Sequence, residues 1–160
     1  MKLNTTRFGD IDIAEEKIVH FADGLPGLED LKRYALITTE ETEPFHWFQS
    51  IDARDIALAV IDPYRLFPKY AIKLPETVLE ELDLGDGSGE NLLVLTVAVV
   101  PQDFRAMTTN LVSPIIINSE KNLGRQVILE NSDYLIRQPI YDLLQEYVIR
   151  EGAADAGSDA

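Results

Sequence analysis

Short apolar runs separated by turn residues constrain the fold of this sequence more than any other feature. In the first half the runs are KLNTT, IDI, KIVHF, RYALIT, PFHWFQS and ALAVIDP, and in the second half LLVLTVAVV, NLVSPIIIN and GRQVILEN. Runs of roughly four to eight residues bounded by Gly, Pro, Asn or Asp are typical of β-strands. The last two runs are joined by SEKNLG, which is typical of a hairpin connection. The sequence therefore predicts a mainly β fold.

Two segments with helical spacing interrupt these strands. In LPETVLEELDL, Pro75 suits the first helical position, and Glu76 and Glu80 belong to an acidic outer face. Its predicted apolar face consists of Val78, Leu79 and Leu82. In QPIYDLLQEYVIREG, Pro139 is predicted to begin a second helix that ends near Gly152. Its apolar positions are Ile140, Leu143, Leu144, Tyr147 and Val148. Both helices are amphipathic, so we expect them to pack on the sheet.

Length and composition predict one globular domain. A chain of 160 residues buries roughly 70% of its unfolded surface around a single core. We expect residues 1–150 to form that domain and residues 151–160, which lack large apolar side chains, to form a disordered acidic tail. The nine-residue run LLVLTVAVV is about half the length of a membrane-spanning helix. With no signal-peptide pattern at the N-terminus and no cysteine, the sequence predicts a cytoplasmic protein without a membrane partner.

The charge excludes one class of partner. The 14 Lys and Arg residues face 28 Asp and Glu residues, which gives a formal charge of −14. Binding of nucleic acid depends on Lys and Arg that replace counterions on the phosphates. A chain this acidic, whose basic residues are dispersed along the sequence, is not expected to bind nucleic acid directly.

The sequence offers few groups for catalysis or metal binding. His20 and His46 fall in different predicted strands, without HxH, HxxxH or HExxH spacing. The loop DLGDGSGEN, residues 83–91, lacks the order of acids and glycine that a calcium-binding loop requires. GxSxG and GxxxxGK segments are also missing. We therefore expect no cofactor, no metal and no enzymatic activity.

The segment PFHWFQSID concentrates aromatic side chains in one predicted strand. Strand alternation places Phe45, Trp47 and Ile51 on one face, which we expect to be the core. His46 and Phe48 lie on the other face, where Phe48 suits a partially exposed anchor. The segment is thus interpreted first as a core strand, second as a docking surface, and third as the lining of a catalytic pocket.

Five motifs in order give the chain a family resemblance. FADGLPGLED, PFHWFQSID, AVIDP, TTNLVSPIIIN and GRQVIL follow one another, from about Leu3 to about Leu144, in the order and approximate spacing of the flagellar assembly factor FliW family. The resemblance implies a small antiparallel β-barrel-like body with flanking helices and no enzymatic activity. It also implies a cytoplasmic protein that binds flagellin and, alternatively, the translational repressor CsrA, the carbon storage regulator, thereby relieving repression of flagellin mRNA.

The resemblance does not say which surface binds which partner. The predicted partner-binding residues are His46, Phe48, Asp62, Pro63, Glu76, Glu80, Asn110 and Asn118. Each type also has an ordinary structural role, since Asp before Pro starts turns, Asn caps strand ends and exposed Glu is solvated. The competing interpretation is a β-barrel enzyme or small-molecule-binding domain with an aromatic-lined pocket.

Overall fold

The computed structural model describes residues 1–38, 44–130 and 132–148. The strands in these ranges are β1 Lys2–Thr5, β2 Gly9–Asp12, β3 Ile18–Phe21, β4 Arg33–Thr38, β5 Phe45–Ser50, β6 Ala57–Ile61, β7 Leu92–Val99, β8 Thr108–Thr109, β9 Ile115–Asn118, β10 Leu123–Gln126 and β11 Gln138–Pro139. The helices are α1 Pro63–Leu66, α2 Glu76–Glu81 and α3, residues 141–148. Short 3₁₀ turns occupy Glu15–Lys17 and Phe104–Ala106.

Seven of the strands close into a barrel. Antiparallel pairs connect β3, β4, β5, β6, β7, β9 and β10 in that order. The parallel pair β10–β3 closes the ring through Leu123 opposite His20 and Gly124 opposite Phe21. Strands β8 and β11 extend the sheet from the end of β7, and β1 and β2 form a separate hairpin. The predicted mainly β, barrel-like body is confirmed.

The barrel interior is a packed apolar core. Phe21, Tyr34 and Phe48 meet there edge to face, with ring centroids 5.5 to 6.1 Å apart. Aliphatic side chains such as Val60 and Ile117 fill the space around these rings. Burial of this kind is worth about 1.5–3 kcal/mol for each large side chain. The interior is therefore core rather than a ligand cavity.

The outer face of the barrel is also covered. The β1–β2 hairpin packs over Ile18 and Ala35. The guanidinium of Arg7, in the hairpin turn, lies 3.7 Å from the centroid of the Trp47 ring, a cation–π contact. Trp47 is thereby buried on the outside of the barrel. The predicted facing of β5 is wrong: Phe48 points inward and Trp47 outward, because both faces of this strand are buried.

The two predicted helices are present with shifted starts. Pro75 precedes α2 as its N-cap, and the predicted face of that helix packs on the barrel through Val78 and Leu82. Pro139 does not begin α3 but pairs with Thr108 in β11, and the helix follows it. Leu144 of this helix and Ile140 just before it pack in one buried cluster, whereas Val148 is exposed. The expected end near Gly152 and the acidic tail lie outside the described residues.

Candidate partner-binding surfaces

The turn DGLPGLED closes one end of the barrel. Gly24 has a positive φ of 66°, and a Cβ there would lie 2.6 Å from the backbone oxygen of Glu29, so the turn requires glycine. Leu25 and Leu28 pair with each other across the turn and pack against the barrel core. The Glu29 carboxylate accepts a hydrogen bond from the Gly27 amide at 3.0 Å, which lowers the pKa of Glu29. This turn positions apolar side chains at the barrel mouth.

An open apolar groove lies beside this turn. We call it the mouth groove; it has a volume of about 340 Å³. Its apolar lining consists of Leu25, Pro26, Leu28, Leu58, Val97, Val99 and Ile136. Asn110, Gln126 and Arg137 add polar groups. Val99 is 59% exposed and Ile136 is 64% exposed, so the groove presents apolar surface to solvent.

Of the predicted binding residues, Asn110 reaches this groove. Its Oδ1 accepts hydrogen bonds from the amides of Val112 and Ser113 at 3.0 and 3.1 Å. The side chain therefore shapes the turn after β8. Sequence reasoning missed the rest of the groove. The sequence features that could have indicated this groove are the paired apolar residues Val99–Val100 and Leu135–Ile136, each next to polar turn residues.

Three predicted binding residues are buried and structural. Phe48 has no exposed surface, so its predicted role as a partially exposed anchor is wrong. Pro63 is buried in the first turn of α1. Asn118 is 1% exposed; its Nδ2 donates to the carbonyl of Leu82 at 2.8 Å and to that of Asp83 at 3.1 Å. These side chains stabilise the fold and do not form a surface.

His46 and Asp62 are partly accessible and already have local partners. The Nδ1 of His46 lies 3.0 Å from the Thr38 hydroxyl. The Oδ1 of Asp62 accepts from the Tyr64 amide at 3.0 Å, and this caps α1. Arg65 lies 3.9 Å from the same carboxylate. The AVIDP motif is thus a strand followed by a capped helical turn.

Glu76 and Glu80 lie on an exposed acidic face. With Leu79, Gly85 and Asp86 they line an open groove of about 500 Å³. Nearby Glu81 pairs with Arg125, and Asp83 pairs with Lys121. In the described part of the chain Glu76 and Glu80 have no ion-pair partner. We call this surface the α2 acidic face.

Three further observations concern metal binding, the carboxyl group of Asp86 and membrane crossing. Within residues 1–38, 44–130 and 132–148, no three His, Asp or Glu side chains converge in a metal-binding arrangement. The hydroxyl of Ser88 donates to Asp86 at 2.6 Å, and this bond lowers the pKa of that carboxyl. In the same residues no helix combines the length and hydropathy that a membrane crossing requires.

Comparison with known proteins identifies the family. The family model described as "FliW protein" matches residues 2–140. The flagellar assembly factor FliW of Thermoanaerobacter pseudethanolicus is 40% identical over 146 residues, covering 91% of this chain and 96% of the relative. The protein of the same name from Caldanaerobacter subterraneus subsp. tengcongensis is 43% identical over 146 residues, with the same coverage.

A solved structure agrees with the fold. The crystal structure of a flagellar assembly factor FliW superposes with a TM-score of 0.80 at 35% sequence identity, covering 88% of this chain and 97% of the other. The chain belongs to the FliW family.

Proposed function

We propose that this chain is a cytoplasmic flagellar assembly factor that binds flagellin and, alternatively, the translational repressor CsrA. When it holds the repressor, flagellin mRNA is free to be translated; when flagellin accumulates and occupies the protein, the repressor is released. The observation that carries the proposal is the family match over residues 2–140, whose relatives are named as flagellar assembly factors. The same naming supports a role in protein binding rather than catalysis.

The surface charge supports a basic partner. Without Asp155 and Asp159 of the last eight residues, the formal charge of −14 becomes −12. Arg33, Arg65 and Arg105 each lie within ion-pair distance of an aspartate, so these cations form no basic patch. A small RNA-binding repressor is itself basic because it contacts phosphates. Complementary potential favours its association with an acidic body.

The same charge suggests how RNA is displaced. An acidic body docked beside an RNA site repels phosphates within about 8 Å, the Debye length at physiological ionic strength. We assign the largest share of this repulsion to the α2 acidic face, because Glu76 and Glu80 are not neutralised by neighbouring cations in the described residues.

A salt titration tests this mechanism. RNA release from the repressor is measured with and without this protein between about 50 and 200 mM salt, the range over which phosphate contacts weaken strongly. We expect the inhibition to decline as salt rises while the protein complex persists. Inhibition that is independent of ionic strength would leave a change in the repressor's shape as the cause.

Charge variants locate the effect. The double variant E76Q/E80Q should lose more inhibition than E15Q/E16Q, which removes the same charge from exposed residues of the 3₁₀ turn that precedes β3. Equal losses would show that net charge acts rather than the α2 acidic face.

The function itself is tested by co-purification. With this protein as bait in the cytoplasm of a flagellated host, we expect flagellin and a small basic RNA-binding protein in mutually exclusive complexes. Recovery of neither, together with turnover of a metabolite, would overturn the proposal.

A further inference from the structure

Within the described residues, no strand or helix covers the apolar lining of the mouth groove. Val97 and Val99 share one face of β7; Val97 packs against the core, and Val99 continues beyond the barrel end into solvent. Ile136 joins them from the segment that precedes β11. Single exposed apolar residues are ordinary, but adjacent ones around a concave site indicate a binding surface.

The charge of the groove lining is opposite in sign to the net charge of the whole chain. Its lining contains one cation, Arg137, and no carboxylate, in a chain whose formal charge is −14. Arg137 is exposed and has no ion-pair partner within the described ranges. Guanidinium groups at the rim of an apolar site favour a carboxylate on the bound molecule.

Charge and composition select among possible occupants. A second copy of this chain carries the same −14 charge and is repelled. Residues 149–160 contain one large apolar side chain, Ile149, too little to fill the aliphatic lining. A basic repressor is disfavoured because the lining contains Arg137 and no carboxylate. The remaining occupant is a partner segment that carries aliphatic side chains and an acidic group.

We propose that the mouth groove holds an amphipathic segment of flagellin, with its aliphatic side chains on Val99 and Ile136 and a carboxylate on Arg137. This inference rests on the proposed function, since flagellin is the partner to which it assigns the groove. It places flagellin on residues that do not belong to the α2 acidic face. If the repressor does not contact the groove, mutually exclusive binding requires that the two partners favour different conformations of this protein.

Four single variants of the full chain test the assignment. I136S and R137E alter the groove, and I128S and K17E are their matched controls. Ile128 is 68% exposed and Lys17 is an exposed cation of the 3₁₀ turn; neither lines the groove. The affinity for monomeric flagellin is measured by calorimetry. We expect a loss of at least about tenfold for each groove variant, the size of effect that anchor residues show, and unchanged affinity for both controls.

A second probe does not depend on flagellin. The dye 8-anilinonaphthalene-1-sulfonate combines apolar rings with one anionic group, so wild-type protein should enhance its fluorescence. I136S and R137E should reduce this enhancement, and I128S and K17E should not. Thermal unfolding of all five proteins controls for loss of fold.

The outcomes separate the two proposals. If flagellin binds wild type and all four variants alike, the groove assignment is wrong and the proposed function stands. If wild type binds neither flagellin nor the repressor, the proposed function fails, and the dye decides whether the groove is an apolar site with an anion contact. A dye response equal in groove variants and controls overturns the inference in either case.

Discussion

At the scale of single residues, β5 is buried on both faces, so its sequence does not predict which face points into the barrel. Trp47 and Phe48 are both buried, one beneath the β1–β2 hairpin and one inside the barrel. Alternation predicted that they lie on opposite faces. It could not predict which face is the interior, because the covering by Arg7 and Phe8 comes from residues about forty positions earlier in the sequence.

Truncating Phe48 should strongly destabilise the fold. F48A removes a fully buried ring that contacts Phe21 and Tyr34; we expect a loss of about 3–5 kcal/mol in the free energy of unfolding by urea titration. F104A, at a residue that is 61% exposed, should change it by less than about 0.5 kcal/mol. Similar losses for both would contradict the inward orientation of Phe48.

Gly9 and Gly24 have nearly equal φ angles but different surroundings. Alanine substitutions at the two positions therefore distinguish the cost of a left-handed backbone from the cost of a steric clash. Gly9 and Gly24 have φ values of 68° and 66°, but a Cβ at Gly9 meets nothing within 4 Å, whereas at Gly24 it meets Glu29 at 2.6 Å. G9A should cost about 1–2 kcal/mol from the left-handed conformation alone. G24A should cost at least about 1 kcal/mol more. Equal unfolding free energies would show that the DGLPGLED turn shifts freely.

At the scale of elements, Asn118 connects α2 to the β9–β10 hairpin. Its Nδ2 donates to the carbonyls at the end of α2, and its Oδ1 accepts from the amides of Glu120 and Lys121 at 3.0 and 3.1 Å. One buried amide thus satisfies four backbone groups. This explains an asparagine at a position that sequence reasoning assigned to a partner.

Removing this side chain should loosen both elements. N118A leaves buried backbone groups without partners, and we expect a loss of about 2–3 kcal/mol in urea unfolding. N110A, which removes two hydrogen bonds from a half-buried turn, should cost about 1 kcal/mol. An equal or larger loss for N110A would contradict the role assigned to Asn118.

Elements with local signals were predictable, and those without were missed. The SEKNLG hairpin and the apolar face of α2 follow from residues within one short segment. Strands β8 and β11 have two residues each and pair across about thirty positions, Thr108 with Pro139. Because this pairing has no local sequence signal, Pro139 was predicted to begin a helix. The helix begins only at residue 141, after the β8–β11 pair. The mouth groove was missed for the same reason, since its lining comes from six separate segments.

At the scale of the whole molecule, the parallel β10–β3 pair closes the barrel through a short seam. It has two registered residue pairs, as does β6–β7, whereas β4–β5 and β5–β6 have five each. Gly124 lies on this seam, where a Cβ would approach the Phe21 ring to 2.6 Å. The absence of a side chain at Gly124 allows β10 to pack directly over the core.

Amide hydrogen exchange should be faster in strands of the short β10–β3 pair than in strands with longer ladders. Peptides covering β3 and β10 should exchange before those covering β5, which has a full ladder on both sides. Mass spectrometry of exchange under native conditions measures the order. Simultaneous exchange of the three strands would show that the barrel opens only as a whole.

The β10–β3 seam also determines how late in synthesis the barrel can close. Strand β3 ends at Phe21, and its parallel partner follows about a hundred residues later. Until β10 has left the ribosome, the outer edge of β3 has no backbone partner, and unpaired edges promote association between chains. A product that terminates before Leu123 is therefore expected to aggregate or be degraded, even though most of its strands have been made.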